Sequence, residues 1–287
     1  MLDLSYFENQ NSNVQSFFNG GTWQTWIKPR GAKLVTFFVI GAGSGGGGGF
    51  LAAGTRSGGQ GGSNGGIVKL TVQASLLPDI LYINPGTGGA GGIGGNPSTA
   101  GGAATKSYVC LIPDTSSISN IVCTSGNVAA TGGTGGSTVT ANSGIGETVA
   151  TIANMVFANL GIFLATAGIQ GSAGGLTNGG NNAVGSFMIP GSGGGGSGAG
   201  GNNPTTAGGP FPAQSGGSVA TGPKHGLIFY KPIFGLIGGV GGGGGTTGVN
   251  GGDGAPGCGG GGGGAGTASA GNGGRGGDGF VIITTSL

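Results

Sequence analysis

Charge is scarce in this sequence, and its scarcity removes several functions at once. Only 6% of the 287 residues are Asp, Glu, Lys or Arg, and the net charge is +2. The nine basic residues are scattered from Lys28 to Arg275 without a cluster, so a phosphate-tracking surface has no electrostatic basis and nucleic acid is not expected as a partner. The seven acidic residues stand at least five positions apart, and the one histidine, His225, follows the turn-like Gly222-Pro223-Lys224. That pattern holds no carboxylate pair for acid–base work and no Cys/His spacing for a metal, so no enzyme and no cofactor are expected. Three cysteines, Cys110, Cys123 and Cys258, are too few and odd in number for a disulfide framework and read as buried thiols. Twelve prolines and many interruptions exclude a collagen helix, which needs unbroken Gly-X-Y. Residues Met1 to Gly20 lack a basic n-region and a small-residue cleavage site and do not read as a signal peptide.

What the sequence has in abundance is glycine, 81 residues of it. Ordering glycine costs more backbone entropy than ordering any other residue, so these tracts must recover that cost or stay disordered. Polyglycine II, the glycine counterpart of polyproline II, recovers it: chains without side chains approach closely enough for N–H···O and Cα–H···O contacts. Its three residues per turn predict triplets, and Gly88-Gly89-Ala90-Gly91-Gly92-Ile93-Gly94-Gly95-Asn96 and Gly273-Gly274-Arg275-Gly276-Gly277-Asp278 are in Gly-Gly-X register.

Between the tracts lie short apolar runs. Lys33 to Gly49 delivers a β-branched and aromatic run straight into polyglycine, and Ile80 to Gly95, Ser186 to Gly201 and Ile233 to Gly245 repeat the arrangement. The sequence thus predicts a mainly β fold, sandwich-like strands interleaved with polyglycine II helices, with at most one short α-helix. Trp23 to Ile27, a Pro29-Arg30-Gly31 turn and Leu34 to Ile40 suggest a hairpin; Ile67 to Val72 with Ile80 to Ile83 suggests a second, and Tyr108 to Ile112 with Ile121 to Cys123 a third. Val149, Ile152, Ala153, Val156, Phe157 and Leu160 fall at helical spacing behind Glu147, which predicts the one helix within Gly144 to Gly168. A membrane span through Ile152 to Ile169 is disfavoured by Asn154, Asn159 and Gly161 and by the lack of basic anchors. The terminal run Phe280 to Thr285 is expected beside Leu34 to Ile40. That closes residues 21–287 into one domain, with a central insert at about 137–230 reaching away. Residues 1–20 form an arm, either a docking segment or an edge strand on its own domain.

Gly41-Ala42-Gly43-Ser44-Gly45-Gly46 satisfies Gly-x-Gly-x-x-Gly after a strand. A dinucleotide site would need a helix opening at the third glycine and an acidic residue about 20 positions on; Gly45 to Gly49 is unbroken glycine and no Asp or Glu lies between Glu8 and Asp79.

The order Thr22-Trp23, Lys28-Pro29-x-Gly31-Ala32-Lys33, an apolar strand, Gly41-Ala42-Gly43, then Asn84-Pro85-Gly86-Thr87-Gly88-Gly89-Ala90-Gly91-Gly92, and the ending Gly273-Gly274-Arg275-Gly276-Gly277-Asp278-Gly279-Phe280-Val281-Ile282-Ile283 resembles the glycine-rich domain of phage tail-fibre and adhesin proteins. The resemblance brackets Trp23 to Ile283. It implies a virion-surface protein, tail fibre or spike adhesin, that attaches to a host-surface protein or glycan through loops on a rigid scaffold. It also implies a homo-oligomer that contacts other virion proteins, with residues 1–20 as one route, and no membrane insertion. A purely structural virion protein, fibre segment or capsid decoration, is the alternative; an ice-binding protein fits less well, because regular Thr-x-Thr rows are missing. Candidate recognition residues are the large apolar groups beside glycine tracts: Phe50, Leu51, Phe187, Met188, Phe211, Phe229 and Tyr230. Such groups either staple the bundle or form contact patches. Phe211, between Pro210 and Pro212, is the sharpest candidate, because prolines lower the entropy lost when a tip binds.

Overall fold

The computed structural model describes residues 12–18, 20–141, 143–176, 178–180, 193, 205–206, 214–215, 225, 228–229, 235–236, 239, 242 and 244–287. It is mainly β, and its only helical turns among the described residues are 3-10 turns of three residues. In chain order the strands are β1 (Ser12–Phe17), β2 (Gln24–Ile27), β3 (Leu34–Ile40), β4 (Ile67–Gln73), β5 (Ile80–Asn84), β6 (Tyr108–Cys110), β7 (Ile121–Thr124) and β8 (Ile162–Thr166). Small antiparallel ladders follow, β9 (Thr205–Thr206) with β10 (Gln214–Ser215) and β11 (Ile228–Phe229) with β12 (Gly235–Leu236). Then come β13 (Gly245–Thr247), parallel to β14 (Gly266–Ser269), and the closing strand β15 (Phe280–Ser286).

Two antiparallel sheets hold the core. One has the order β1-β15-β3-β4-β8 and the other β2-β5-β6-β7. β3 alternates buried and half-buried residues, and Val35, Phe37 and Val39 point into a cluster shared with Val68, Leu70, Val281 and Ile283 from its own sheet and Trp26, Leu81, Ile83 and Val109 from the other. Period-two side-chain alternation puts these residues on one face of each sheet, and Trp26 meets Phe37 edge-on across the gap at 6.4 Å. The expected neighbourhood of the terminal run holds: β15 pairs antiparallel with β3 from Phe280↔Ile40 to Ser286↔Leu34. Residues 12–17 of the arm form an edge strand on β15, while residues 1–11 lie outside the described residues.

Two of the three expected hairpins are corrected. β2 and β3 lie in different sheets, as do β4 and β5, so residues 28–33 and 74–79 arch across the sandwich. Each strand carries a full apolar face, and two such faces bury each other only from opposite sheets. β6 and β7 do pair directly. The expected helix is also absent: the stretch contains two 3-10 turns, Ile152–Asn154 and Ala158–Leu160, and the strand β8. Beyond the short bonds within those turns, its main chain bonds to neighbouring segments, as Val156 N–H to Ile121 O at 2.8 Å. The buried set is Ala150, Met155 and Ala158, with Ile152, Val156 and Leu160 exposed; tertiary contacts override a weak local preference. No helix among the described residues is long and apolar enough to cross a membrane.

At one end of the sandwich the strands run directly into glycine. There the hydrogen bonds acquire a period of three. N–H groups of Gly43, Gly46 and Gly49 donate to the carbonyls of Gly277, Gly274 and Gly271, those of Ser44, Gly47 and Phe50 to Ser63, Gln60 and Ser57, and those of Gly45 and Gly48 to Gly102 and Thr99. The carbonyls of the same segment serve three further neighbours: Gly43, Gly46 and Gly49 accept from Gly89, Gly92 and Gly95, Ser44, Gly47 and Phe50 from Gly260, Gly263 and Gly266, and Gly45 and Gly48 from Gly133 and Gly136. One segment with three residues per turn and six hydrogen-bonded neighbours is a polyglycine II helix at the centre of a bundle. A Cβ on Gly43 would lie 1.9 Å from the Cys258 carbonyl oxygen, and one on Gly45 1.8 Å from that of Ala90, so neither site admits a side chain. The tracts use φ < 0 throughout the described residues; positive φ occurs at Gly21 (74°), Gly31 (84°) and Gly257 (73°), each in a turn.

The junction between sandwich and bundle is polar and buried. Ser107 Oγ donates to Ile40 O at 2.6 Å and accepts from Gly86 N–H at 2.9 Å. Ser125 Oγ accepts from Ser107 N–H at 3.0 Å and donates to Glu147 Oε1 at 2.7 Å, while Glu147 Oε2 accepts from Gly66 N–H at 2.6 Å. Glu147 is 1% exposed. Burial pushes its carboxyl up from 4.5 to about 7, against the opposing hydrogen bonds from Ser125 and Gly66 and the charge of Lys106.

A candidate recognition tip at the far end of the bundle

The residues 43–51 carry the chain away from the sandwich, roughly 28 Å at about 3.1 Å per residue, and deliver Phe50 and Leu51 to the far end. There Phe50 N–H bonds Ser57 O at 3.1 Å, Leu51 N–H bonds Gly95 O at 3.0 Å and Ala52 N–H bonds Gly266 O at 3.1 Å. Both side chains are half-buried, and the turn that follows exposes Ala53, Gly54 and Thr55.

Those bonds gather four other segments at the same level. Residues 93–99, with a cis Asn96–Pro97 bond, meet Leu51; residues 136–141 are tied by Ser57 N–H to Ser137 O at 2.8 Å and Ser137 N–H to Ser57 Oγ at 2.9 Å; β13 and β14 complete the rim. The surface they present is neutral and partly apolar: Ile93 is 66% exposed and Val139 64%, beside exposed Thr246, Thr247 and Thr267. Arg56 is the one charged residue of these described segments, and it is buried beneath the turn, its Nη1 donating to Gly54 O at 3.0 Å and its Nη2 to Gly245 O at 3.4 Å. Such a tip offers hydrogen-bonding hydroxyls, backbone edges and aliphatic contact.

Of the residues singled out in the sequence, the structure therefore brings Phe50 and Leu51 to one tip. Phe229 pairs through its backbone with Gly235 in the β11–β12 ladder; Phe187, Met188, Phe211 and Tyr230 lie outside the described residues. Ile93 and Val139 were not singled out. Ile93 had a signal, since it is the X of a Gly-Gly-X triplet and a packed polyglycine helix leaves that position to face outward. Val139 had none.

The remaining chemistry-bearing groups are dispersed. No set of three or more His, Cys, Asp or Glu that could hold a metal occurs among the described residues. Cys110, Cys123 and Cys258 are buried thiols outside any disulfide, and burial, helped by Asp114, pushes the Cys110 thiol up to about 12. His225 is exposed and accepts a hydrogen bond at Nδ1 from Asp253 N–H at 3.0 Å. The Gly-x-Gly-x-x-Gly glycines sit inside the bundle, with no helix opening among them.

Among the curated proteins none matches this chain. The family model of the glycine-rich domain matches residues 18–286, from Phe18, whose ring stacks on Phe280 at 5.6 Å, to the end of β15. The chain belongs to the glycine-rich domain family.

Proposed function

We propose that this protein is a phage virion-surface protein, a tail-fibre or spike adhesin, that attaches to a host-surface protein or glycan through loops displayed at the far end of its polyglycine bundle. One observation carries the reading. The bundle interior is fixed by period-three hydrogen bonds and admits no Cβ at positions such as Gly43 and Gly45, whereas the turns at its far end expose Ile93, Val139 and the 53–55 turn. A rigid shaft with freely substitutable tips separates folding from recognition, so the tips can change without cost to the scaffold. Phe50 and Leu51 support the tip from beneath, and Phe211 belongs to the same proposal as a proline-flanked contact.

The test is binding of purified protein to susceptible cells. The double variant Ile93→Ser/Val139→Ser, and separately Phe211→Ala, should weaken binding while leaving the melting temperature unchanged. Absence of cell binding by the wild type, together with a covered position in the particle, would instead support a structural virion protein. That second reading draws on the uncharged, apolar outer side of β8, where Ile162 is 77% and Leu164 64% exposed.

A further inference from the structure

The two sheets have four outer edges, and three of them are protected. β7 is fully buried and covered by residues 149–158, through Val156 N–H to Ile121 O at 2.8 Å and a bridge from Gly126 to Val149. β2 has four residues and runs into Lys28, whose Nζ is held by Leu77 O at 2.7 Å and Asp79 at 3.1 Å, and then Pro29. β1, Ser-Asn-Val-Gln-Ser-Phe, is mostly polar.

β8 has none of these protections. Its sequence Ile-Phe-Leu-Ala-Thr carries no charge and no proline, and it pairs one-for-one with β4, from Ile67↔Thr166 to Thr71↔Ile162, without a bulge. No described strand lies on its other side. Phe163 and Ala165 pack on the core, while Ile162 and Leu164 face outward, 77% and 64% exposed. Proteins ordinarily blunt such an edge with lysine, proline or a bulge, because an unpaired flat apolar strand recruits another strand.

We infer that β8 is the self-association edge of this protein and pairs antiparallel with β8 of a second copy, joining two five-stranded sheets into one. The occupant follows from the strand itself. Antiparallel pairing centred on Leu164 sets Leu164 against Leu164 and Ile162 against Thr166, and opposes no like charges. The nearest charge on that outer face is Lys69, one strand inward, opposite Leu164. Across the joined sheet the two Lys69 residues would stand three strand spacings apart, roughly 14 Å, beyond the screening length of about 8 Å at physiological salt. A two-fold edge contact of this kind closes on itself and stops at the dimer. It leaves the bundle tips free, whatever they bind.

The test is sedimentation velocity on the full chain over a wide concentration range, with Leu164→Lys, Leu164→Glu and an equimolar mixture of the two. The wild type should reach a dimer. Each single variant places like charges opposite each other and should raise the dissociation constant at least about tenfold, and mixing the two should restore the dimer. Ile162→Lys is a second variant on the same face, and unchanged melting temperatures report intact folds, as expected at exposed positions. A wild type that stays monomeric at its highest soluble concentration overturns the inference. So does an assembly larger than a dimer, a dimer indifferent to both substitutions, or capture of a foreign strand by a monomeric wild type.

Discussion

Glu147→Gln isolates a stability term that depends on pH in a direction opposite to that of most carboxylates. In the folded protein the Glu147 carboxyl is 1% exposed, with Gly66 N–H at 2.6 Å and Ser125 Oγ at 2.7 Å. Its pKa rises from 4.5 to about 7, chiefly through burial. The folded state thus holds this proton more tightly than the unfolded chain does. Stability from the group is fully present below pH 4.5 and is lost as pH rises through about 7. At about 1.4 kcal/mol for each pH unit between those values, roughly 3 kcal/mol is at stake, a large share of the about 5–15 kcal/mol by which domains are stable. Glutamine mimics the protonated acid: its carbonyl accepts from Gly66 N–H, and its amide donates to Ser125 Oγ. Denaturant unfolding of wild type and Glu147→Gln from pH 4 to pH 8 reads the difference directly. The two curves should nearly coincide at the acid end, separate between about pH 4.5 and about pH 7, and keep that separation at pH 8, with the glutamine variant the more stable. Asp114, whose carboxyl is held low by hydrogen bonds from Ser116, titrates in both proteins and drops out of the comparison. Parallel curves, or a glutamine variant less stable at pH 8, would refute the account of a buried carboxyl that charges only at a cost.

Gly43→Ala should destabilise the bundle severely, because the added carbon meets the Cys258 carbonyl at 1.9 Å and backbone on both sides cannot yield; melting temperature and soluble yield check it. Gln60 Oε1 accepts from Ser143 N–H at 2.9 Å and Gly144 N–H at 2.8 Å inside the bundle, so Gln60→Leu should cost about 1–3 kcal/mol for each orphaned donor, read as local loss of hydrogen-exchange protection at residues 143–144. Phe37, fully buried between the sheets, should cost about 3–5 kcal/mol on truncation to Ala, whereas Phe38, half-buried on the outer face, should cost less in the same unfolding assay. Cys110 and Cys123, both fully buried with thiols pushed up by burial, should react with a thiol reagent at neutral pH only at the rate of unfolding.

Two elements show how far local pattern reaches. The runs at 34–40 and 280–286 announced themselves as buried strands by composition, and they pair as the ends of the chain suggested. The turns at 28–33 and 74–79 announced reversals of direction correctly but not their plane. A hairpin and an arch between sheets use connections of similar length and residue type, and only the need of Trp26 and Phe37 to face each other selects the arch. In residues 144–168 a few apolar residues at helical spacing competed with main-chain partners such as Ile121 O and Val128 O, and the partners won. At the tip, Phe50 and Leu51 were recognisable as large groups leaving a glycine tract, but their company there was not.

The sequence by itself determined the materials: apolar alternation that makes strands and Gly-Gly-X triplets that make three-residue turns. The tertiary structure alone decided which polyglycine segment lies against which. Gly43 bonds Gly277 and Gly89, yet nothing in those three residues distinguishes them from dozens of other glycines, because N–H and C=O groups carry no side-chain identity. The register comes instead from where β3 and β5 end and where β4 and β15 begin, since each strand fixes its tract at one place in the sandwich. The same long-range launch sets Glu147 against Gly66 and Ile93 near Phe50, pairings that exist only once the sheets have formed.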